Sequence, residues 1–394
     1  MPCFSDLDGI FANGIHAGIK ANGSKDLGFI WMPDAVGSAG VFTQNQFVAS
    51  SVVFTKHNLS KNVLKAVIVN SGNANAGTGR IGEEATCQMA SVLATALGIS
   101  AQEVAVAATG KIGEIFPFEI VKQGIDDLMK NPFVKNGHAV AEAILTTDLC
   151  TKTVYKEAVI GGKTIVISGI TKGSGMIAPH MATTLTFLVT NAHILSDPLQ
   201  TYLGESIENS YNMVSIDTDT STNDMALLFS IGKKSTAFTT KQEWDAFGQL
   251  LTDACIDLAK QIAKDGEGAT KLIEVFVEGV VCRDMAKKIA LNVVNSPLVK
   301  TAIHGADPNW GRILAAACRD TQYPIDVNKI ELKIGDQQVF FHGTPVLFDK
   351  ELVIKMLKKE EVYISLNLHD GNASVTAWGC DLTKGYVDIN TSYC

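Results

Sequence analysis

Thr171-Lys-Gly-Ser-Gly-Met-Ile-Ala-Pro-His-Met-Ala-Thr-Thr-Leu-Thr-Phe-Leu-Val-Thr-Asn-Ala192 lies near the middle of the 394-residue chain. A glycine-punctuated loop runs to Pro179, and a strand-like apolar run follows from Leu185 to Val189. Two hydroxyls, Thr183 and Thr184, stand where loop becomes strand. Threonine is an ordinary strand residue because β-branching suits extended backbone. It is also a nucleophile when a base lies beside its hydroxyl, and its own N-terminal amine is one such base. A free α-amine titrates at about 7.7–8.0, so part of it is neutral at physiological pH. A mid-chain threonine gains that amine only if the preceding bond is cut, here Ala182–Thr183.

The string Lys172–Pro179, followed by Met181-Ala182-Thr183, resembles the bifunctional ornithine acetyltransferase / N-acetylglutamate synthase family. That family is made as one precursor that cleaves itself before this threonine. It usually has Met after the nucleophile, where this chain has Thr184; the resemblance, not the chemistry, selects Thr183. The expected pieces are 1–182 and 183–394.

Further segments match in chain order. Val63–Val69 reads as a buried strand ending in a polar loop, Asn70-Ser71-Gly72-Asn73-Ala74-Asn75, which the family shares; its following cysteine is Gly77 here. Val104–Ala108 reads as a small-residue strand ending in Thr109-Gly110. Acyl transfer needs donors aimed at the developing oxyanion. The resemblance gives that role to the Thr109 hydroxyl and the Gly110 amide. Thr146-Thr147-Asp148 matches an element in which one threonine contacts substrate, Thr146 being favoured over Thr147. Glu267, between two glycines, reads locally as an exposed acid in a turn, and the resemblance places it against the amino-acid substrate. Lys172 is assigned to a charged end of the same substrates. Asn390 falls in the family's substrate pocket, and most members run one residue beyond the position of Cys394.

The remaining chain is read from local signals. Glycines 9–29 suggest turns. Glu83 and Glu84 open a helix that Gly98 closes, and Ser100 with Glu103 has capping-box spacing. Pro117–Lys130 has helix spacing. Gly161-Gly162 joins two strands in a hairpin. Thr240 and Glu243 cap a long helix with one apolar face, Trp244 to Ile262. Asp217–Asp224 lacks the glycine and glutamate of a calcium loop and reads as a hydrogen-bonded scaffold. Asp307–Arg312 is taken as a buried Trp310 with a satisfied Arg312. Gly335-Asp336 and Asp370-Gly371 are hairpin signals.

Composition bounds the function. With net charge −8 and no basic block, nucleic-acid binding is disfavoured. No apolar run approaches the roughly 18 residues of a membrane span, and the acidic N-terminal stretch reads as neither a secretion signal nor a transit peptide. Eight cysteines without a C-x-x-C pair read as buried free thiols in a reducing cytoplasm. The histidines lack ligand spacing, so no metal is expected.

The residues themselves give a mixed α/β fold. The resemblance implies an αββα sandwich shared with aminopeptidase relatives and a heterotetramer of two copies of each piece. It further implies acetyl transfer from N2-acetyl-L-ornithine to L-glutamate through an acetyl-threonine, without a cofactor. Some members also take acetyl-CoA as donor, and no residue here decides that. The alternatives are an N-terminal-nucleophile aminopeptidase or amidase on the same scaffold, and a non-enzymatic binding protein that never cleaves.

Overall fold

The computed structural model describes residues 3–179 and 184–391. Ala182, Thr183 and Cys394 lie outside the described residues. The chain divides into two compact units. The first takes Met1–Gly173, His180–Asn212 and Thr220–Leu258; the second takes Ser174–Pro179, Met213–Asp219 and Ala259–Cys394. This division does not follow the expected cut, since the first unit draws on both sides of it.

In chain order the first unit holds β1 (Phe11–Ile15), β2 (Leu27–Trp31), β3 (Gly37–Phe42), α1 (Ser50–Leu59), β4 (Ala66–Asn73), α2 (Gly79–Leu97), β5 (Val104–Lys111), α3 (Phe118–Met129), α4 (Gly137–Ala143), β6 (Lys152–Ile160), β7 (Lys163–Lys172), β8 (Leu185–Thr190), α5 (Ser196–Glu208), β9 (Met225–Ser230) and most of α6 (Lys241–Lys264). One sheet has the order β1-β2-β4-β5, the other β3-β9-β8-β7-β6.

Side chains alternate across a strand, and β4 and β5 use both faces. Val67, Val69, Ala105 and Ala107 meet Leu185, Phe187, Val189, Leu227 and Phe229 of the other sheet. Ala66, Ile68, Val104 and Val106 meet Met89, Leu93, Ile125 and Leu128 of α2 and α3. That double burial is why these strands read as continuous apolar runs. On the outer face of the second sheet α5 packs against β3 and β9, and Tyr202 of α5 stacks on Trp244 of α6 at 5.4 Å. The layers are therefore helix, sheet, sheet, helix. The exposed edge of β5 is satisfied by α1: Thr55 Oγ1 donates to Val106 O and accepts Val106 N–H, both at 2.8 Å.

The second unit carries β10 (Leu272–Val280), α7 (Arg283–Val294), α8 (Pro297–His304), α9 (Trp310–Ala317), β11 (Glu331–Ile334), β12 (Gln337–Phe341), β13 (Thr344–Pro345), α10 (Lys350–Leu357), β14 (Glu361–Asn367), β15 (Ala373–Cys380) and α11 (Lys384–Thr391). Its sheet has the order β13-β12-β11-β14-β10-β15, with α7 packed on β10 and β15.

Several local readings hold. Gly161 and Gly162 both take positive φ in the β6–β7 hairpin. Gly98 ends α2 in the left-handed region. At the start of α6 the Thr240 N–H donates to Glu243 Oε2 and the Glu243 N–H donates to Thr240 Oγ1. Gly335-Asp336 turns β11 into β12.

Others are corrected. Asp370-Gly371 does not make a hairpin: β10 lies between β14 and β15, parallel to the first and antiparallel to the second. The turn passes over the end of β10, where Asp370 N–H donates to Gly279 O at 2.7 Å. Helix α2 begins at Gly79, before Glu83. Gly14 and Gly28 are not turn residues but partners across β1 and β2. A Cβ on Gly14 would meet Ala139 O at 2.2 Å, so its absence lets α4 lie on the sheet. Asn70–Asn73 continues β4 instead of forming a loop, because it pairs with β5. Trp310 is half-buried, tilted against Phe340, while Arg312 donates to Leu298 O at 3.0 Å. Cys87 and Cys150 are exposed, contrary to the expectation of buried thiols.

Candidate active site

In the first unit β5 ends in Thr109-Gly110, paired with Ser71-Gly72 of β4. Thr109 is buried. Gly110 has φ +132, and a Cβ there would meet the Gly72 carbonyl carbon at 2.3 Å. Only glycine fits so close an approach of two backbones. Asn223 stabilises this end of the sheet, its Nδ2 donating to Ala74 O (2.6 Å) and Ala108 O (2.9 Å).

The next residue, Asp224, anchors the start of β8. Its Oδ1 accepts the Thr184 N–H at 2.7 Å, and Met225 N–H donates back to Thr184 O at 2.9 Å. Burial pushes the Asp224 carboxyl well above the usual range, against that hydrogen bond, the charge of Lys172 and a hydrogen bond from Ser221. Among the described residues Asp224 Oδ2 and Thr184 Oγ1 are buried without a hydrogen-bond partner. The scaffold reading of the Asp217–Asp224 segment matches this geometry, and Thr183 itself lies outside the described residues.

A buried charge cluster sits where β6 starts and β7 ends. Asp148 Oδ1 accepts Lys152 Nζ at 2.6 Å and Gly173 N–H at 2.7 Å. Its Oδ2 accepts Thr146 N–H at 3.1 Å. Burial opposes ionisation of Asp148, but the charges of Lys152 and Lys172 and these hydrogen bonds outweigh it and hold the carboxyl below its ordinary value. Lys172 Nζ lies 3.5 Å from Thr146 Oγ1. The structure thus joins Thr146 and Lys172 of the expected site residues; Thr147 is half-buried beside them in sequence.

In the second unit Glu267 is buried, 9% exposed, which corrects the reading of an exposed turn acid. Its N–H donates to Ser174 O at 2.9 Å, and its Oε2 accepts Asn390 Nδ2 from α11 at 2.7 Å. A Cβ on Gly175 would come within 2.4 Å of both Glu267 carboxylate oxygens. Asp217 accepts the Met176 and Ile177 N–H groups at 2.6 and 2.8 Å, and Met176 takes φ +56. Burial, then the charges of Asp217 and Glu267, push the Tyr386 hydroxyl up to about 12, so it stays a neutral phenol. The structure brings Glu267 and Asn390 into direct contact, a pairing that the sequence reading did not make.

The sequence of the ArgJ family matches residues 11–394. The chain belongs to the ArgJ family. It is 44% identical over 390 residues to Arginine biosynthesis bifunctional protein ArgJ of Staphylococcus epidermidis, covering 98% of this chain and 96% of that protein. The Bacillus cereus protein of the same name is 43% identical over 388 residues, covering 98% and 95%. A crystal structure of the Bacillus halodurans ArgJ protein matches with TM-score 0.51 at 42% identity, over 52% of this chain and 98% of that one. As an ArgJ protein the chain is an acetyltransferase of arginine biosynthesis.

Among the described residues no helix is long and apolar enough to cross a membrane, and no group of three or more metal-binding side chains is assembled. Sequence reading does not single out two buried carboxyls that lie beside the expected site residues. In the sequence Asp148 is only the end of the Thr146-Thr147-Asp148 motif, and Asp224 is one member of the scaffold segment with no partner named. Their partners, Lys152 with Gly173 and Thr184, become visible once the sheet is built.

Proposed function

We propose that this chain moves the acetyl group of N2-acetyl-L-ornithine to L-glutamate through an ester on Thr183, giving ornithine and N-acetylglutamate. What carries the reading is the intact Lys172–Pro179 and Met181-Ala182-Thr183 string in a chain of the ArgJ family.

Cleavage of Ala182–Thr183 frees the threonine α-amine. That amine takes the Thr183 hydroxyl proton as Oγ1 attacks the acetyl carbonyl. Thr109 Oγ1 and the Gly110 N–H stabilise the oxyanion. The C–N bond then breaks and ornithine leaves with the proton. The glutamate amine attacks the ester, Oγ1 recovers a proton, and N-acetylglutamate departs. Lys172, with Thr146 and Thr147 near it, holds the α-carboxylate common to both substrates. Glu267, positioned by Asn390, holds an ammonium. No cofactor enters this sequence, and acetyl-CoA would acylate the same threonine as a second donor.

A two-piece enzyme, 1–182 with 183–394, accounts for a solved relative whose chain matches 52% of this one across 98% of its own length. Assembly as a cytoplasmic heterotetramer of two copies of each piece belongs to the same proposal. Hydrolysis by an aminopeptidase-type enzyme is not favoured, because relatives at 43–44% identity carry the arginine biosynthesis name.

Intact mass spectrometry of the purified protein, with and without N-acetylornithine, tests this. Two chains split at Ala182–Thr183, with an acetyl adduct on the second, are expected. One uncut chain without an adduct would overturn the mechanism, as would a Thr183→Ala variant that still transfers acetyl groups.

A further inference from the structure

Beside Thr146 the first unit has a cavity of about 550 Å³ lined by Lys20, Ser24, Lys25, Glu142, Thr146 and Asp148. Most charges on this wall answer one another. Lys25 pairs with Glu142, and Asp148 is held by Lys152, Gly173 and Thr146. Lys20 is placed differently. Its Nζ donates to Leu145 O at 2.6 Å and Lys25 O at 3.0 Å. An ammonium has three donors, so two neutral carbonyls fix the head and one N–H is left for a ligand. The carboxylate nearest in sequence, Asp26, is fully buried and takes the backbone N–H groups of Ala17, Gly18, Ile19 and Lys20 itself. Asp26 thereby secures the loop that presents the lysine. Both ends of Lys20 are ordered before any ligand arrives, which lowers the entropic cost of binding.

The charged groups around it are Asp26, Asp148, Lys172 and the Lys25–Glu142 pair. Burial lowers the Lys20 ammonium to about 8; Asp26 opposes that, Lys172 adds to it and Asp148 opposes it. Lys20 is a cation at neutral pH and loses its charge just above it. The two substrates proposed above share an α-carboxylate. They differ at the far end, where glutamate has a second carboxylate and N-acetylornithine an ammonium. A fixed cation with a spare donor attracts the first and repels the second.

We propose that Lys20 is a specificity-determining residue that binds the side-chain carboxylate of the acceptor glutamate. This rests on the function proposed above. It divides the two half-reactions: Lys20 serves deacetylation of the enzyme by glutamate, not its acetylation by N-acetylornithine.

The test is steady-state kinetics of the cleaved enzyme, wild type against Lys20→Met and Lys20→Arg, varying each substrate in turn. Loss of a charge-assisted hydrogen bond should raise KM for glutamate at least about tenfold in Lys20→Met. KM for N-acetylornithine and the acetyl-enzyme seen by mass should not change. Preference for glutamate over glutamine as acceptor should narrow to the same degree, and Lys20→Arg should restore most of it. In the wild type KM for glutamate should climb as pH rises through 8, since the cation is present below that value and lost above it. Equal change in both KM values, or none, would overturn the proposal. If Lys20→Met does not fold, a wild-type KM for glutamate that is flat from about pH 7 to 9 would overturn it. A wild-type enzyme that forms no acetyl adduct would instead sink the parent reading, and this one with it.

Discussion

Asp224 Oδ1 accepts the backbone N–H of Thr184 at 2.7 Å, so a buried carboxyl fixes the residue that follows the candidate nucleophile. Replacing Asp224 with Ala leaves that amide without its acceptor, at a cost of about 1–3 kcal/mol, and should slow cleavage at Ala182–Thr183. Asp224→Asn keeps an acceptor oxygen and should cleave. The pH dependence separates them further. The Asp224 carboxyl is raised in the folded state, so the native protein holds this proton to higher pH than the unfolded chain, whose aspartates titrate near about 3.9. Stability from this group therefore falls as pH rises above that value. Thermal unfolding against pH should show Asp224→Asn gaining on wild type as pH increases; parallel curves would contradict the assignment.

Thr109 and Gly110 should fail in different ways. Thr109→Val removes one donor and is expected to slow acetyl-enzyme formation on the order of a hundredfold, with little change in melting temperature. Gly110→Ala sets a Cβ at 2.3 Å from the Gly72 carbonyl carbon at φ +132. It should cost about 3 kcal/mol or more, seen as a lowered melting temperature as well as lost activity. Rapid-quench measurement of acetylation alongside calorimetry distinguishes the two.

Asp148 and Lys152 form an ion pair with both side chains fully buried. Asp148→Asn strands the lysine charge and should destabilise by about 3–5 kcal/mol. Because the Asp148 carboxyl is held below its ordinary value, its stabilisation is complete above the unfolded-state value of about 3.9. It is lost as pH falls through the lower native one. Wild type should therefore shed stability below about pH 4, and Asp148→Asn should show a shallower acid limb. An unchanged limb would remove Asp148 from the account.

Gly175 keeps space for the Glu267 carboxylate. Its φ is not in the left-handed region, so alanine is tolerated by the backbone, but the new Cβ would lie within 2.4 Å of both carboxylate oxygens. The flexible end of Glu267 should swing away, leaving stability within about 1 kcal/mol of wild type. KM for the amino-acid substrates should rise toward that of Glu267→Ala. If Gly175→Ala binds substrate normally, the Glu267 carboxylate is not gripping it.

What was legible in the sequence was whatever neighbouring residues decide. The Gly161-Gly162 turn, the Gly98 helix end and the Thr240–Glu243 cap each need only a few adjacent residues. The αββα layering was legible only through resemblance, because apolar runs such as β4 and β5 do not say which strands flank them. Distant partners account for the misses. Glu267 looks exposed until Ser174 and Asn390 close on it. Asp370-Gly371 looks like a hairpin until β10, from nearly a hundred positions earlier, enters between its strands. Lys20 gets no role from its sequence neighbours, since one of the carbonyls that fixes it belongs to Leu145.

The order β3-β9-β8-β7-β6 sets the terms on which a severed chain can live. A cut at Ala182–Thr183 gives β8 and β9 to one fragment, and β3, β7 and β6 to the other. The fragment beginning at Thr183 then contributes the inner pair of a ladder whose outer rungs belong to its sister. Neither rail is complete alone: β8–β9 by itself would present two bare, largely apolar edges to solvent. Proteolysis here resembles clipping a woven cord whose threads still run through one another. The halves should melt together at one temperature, and the later half made without the earlier should precipitate.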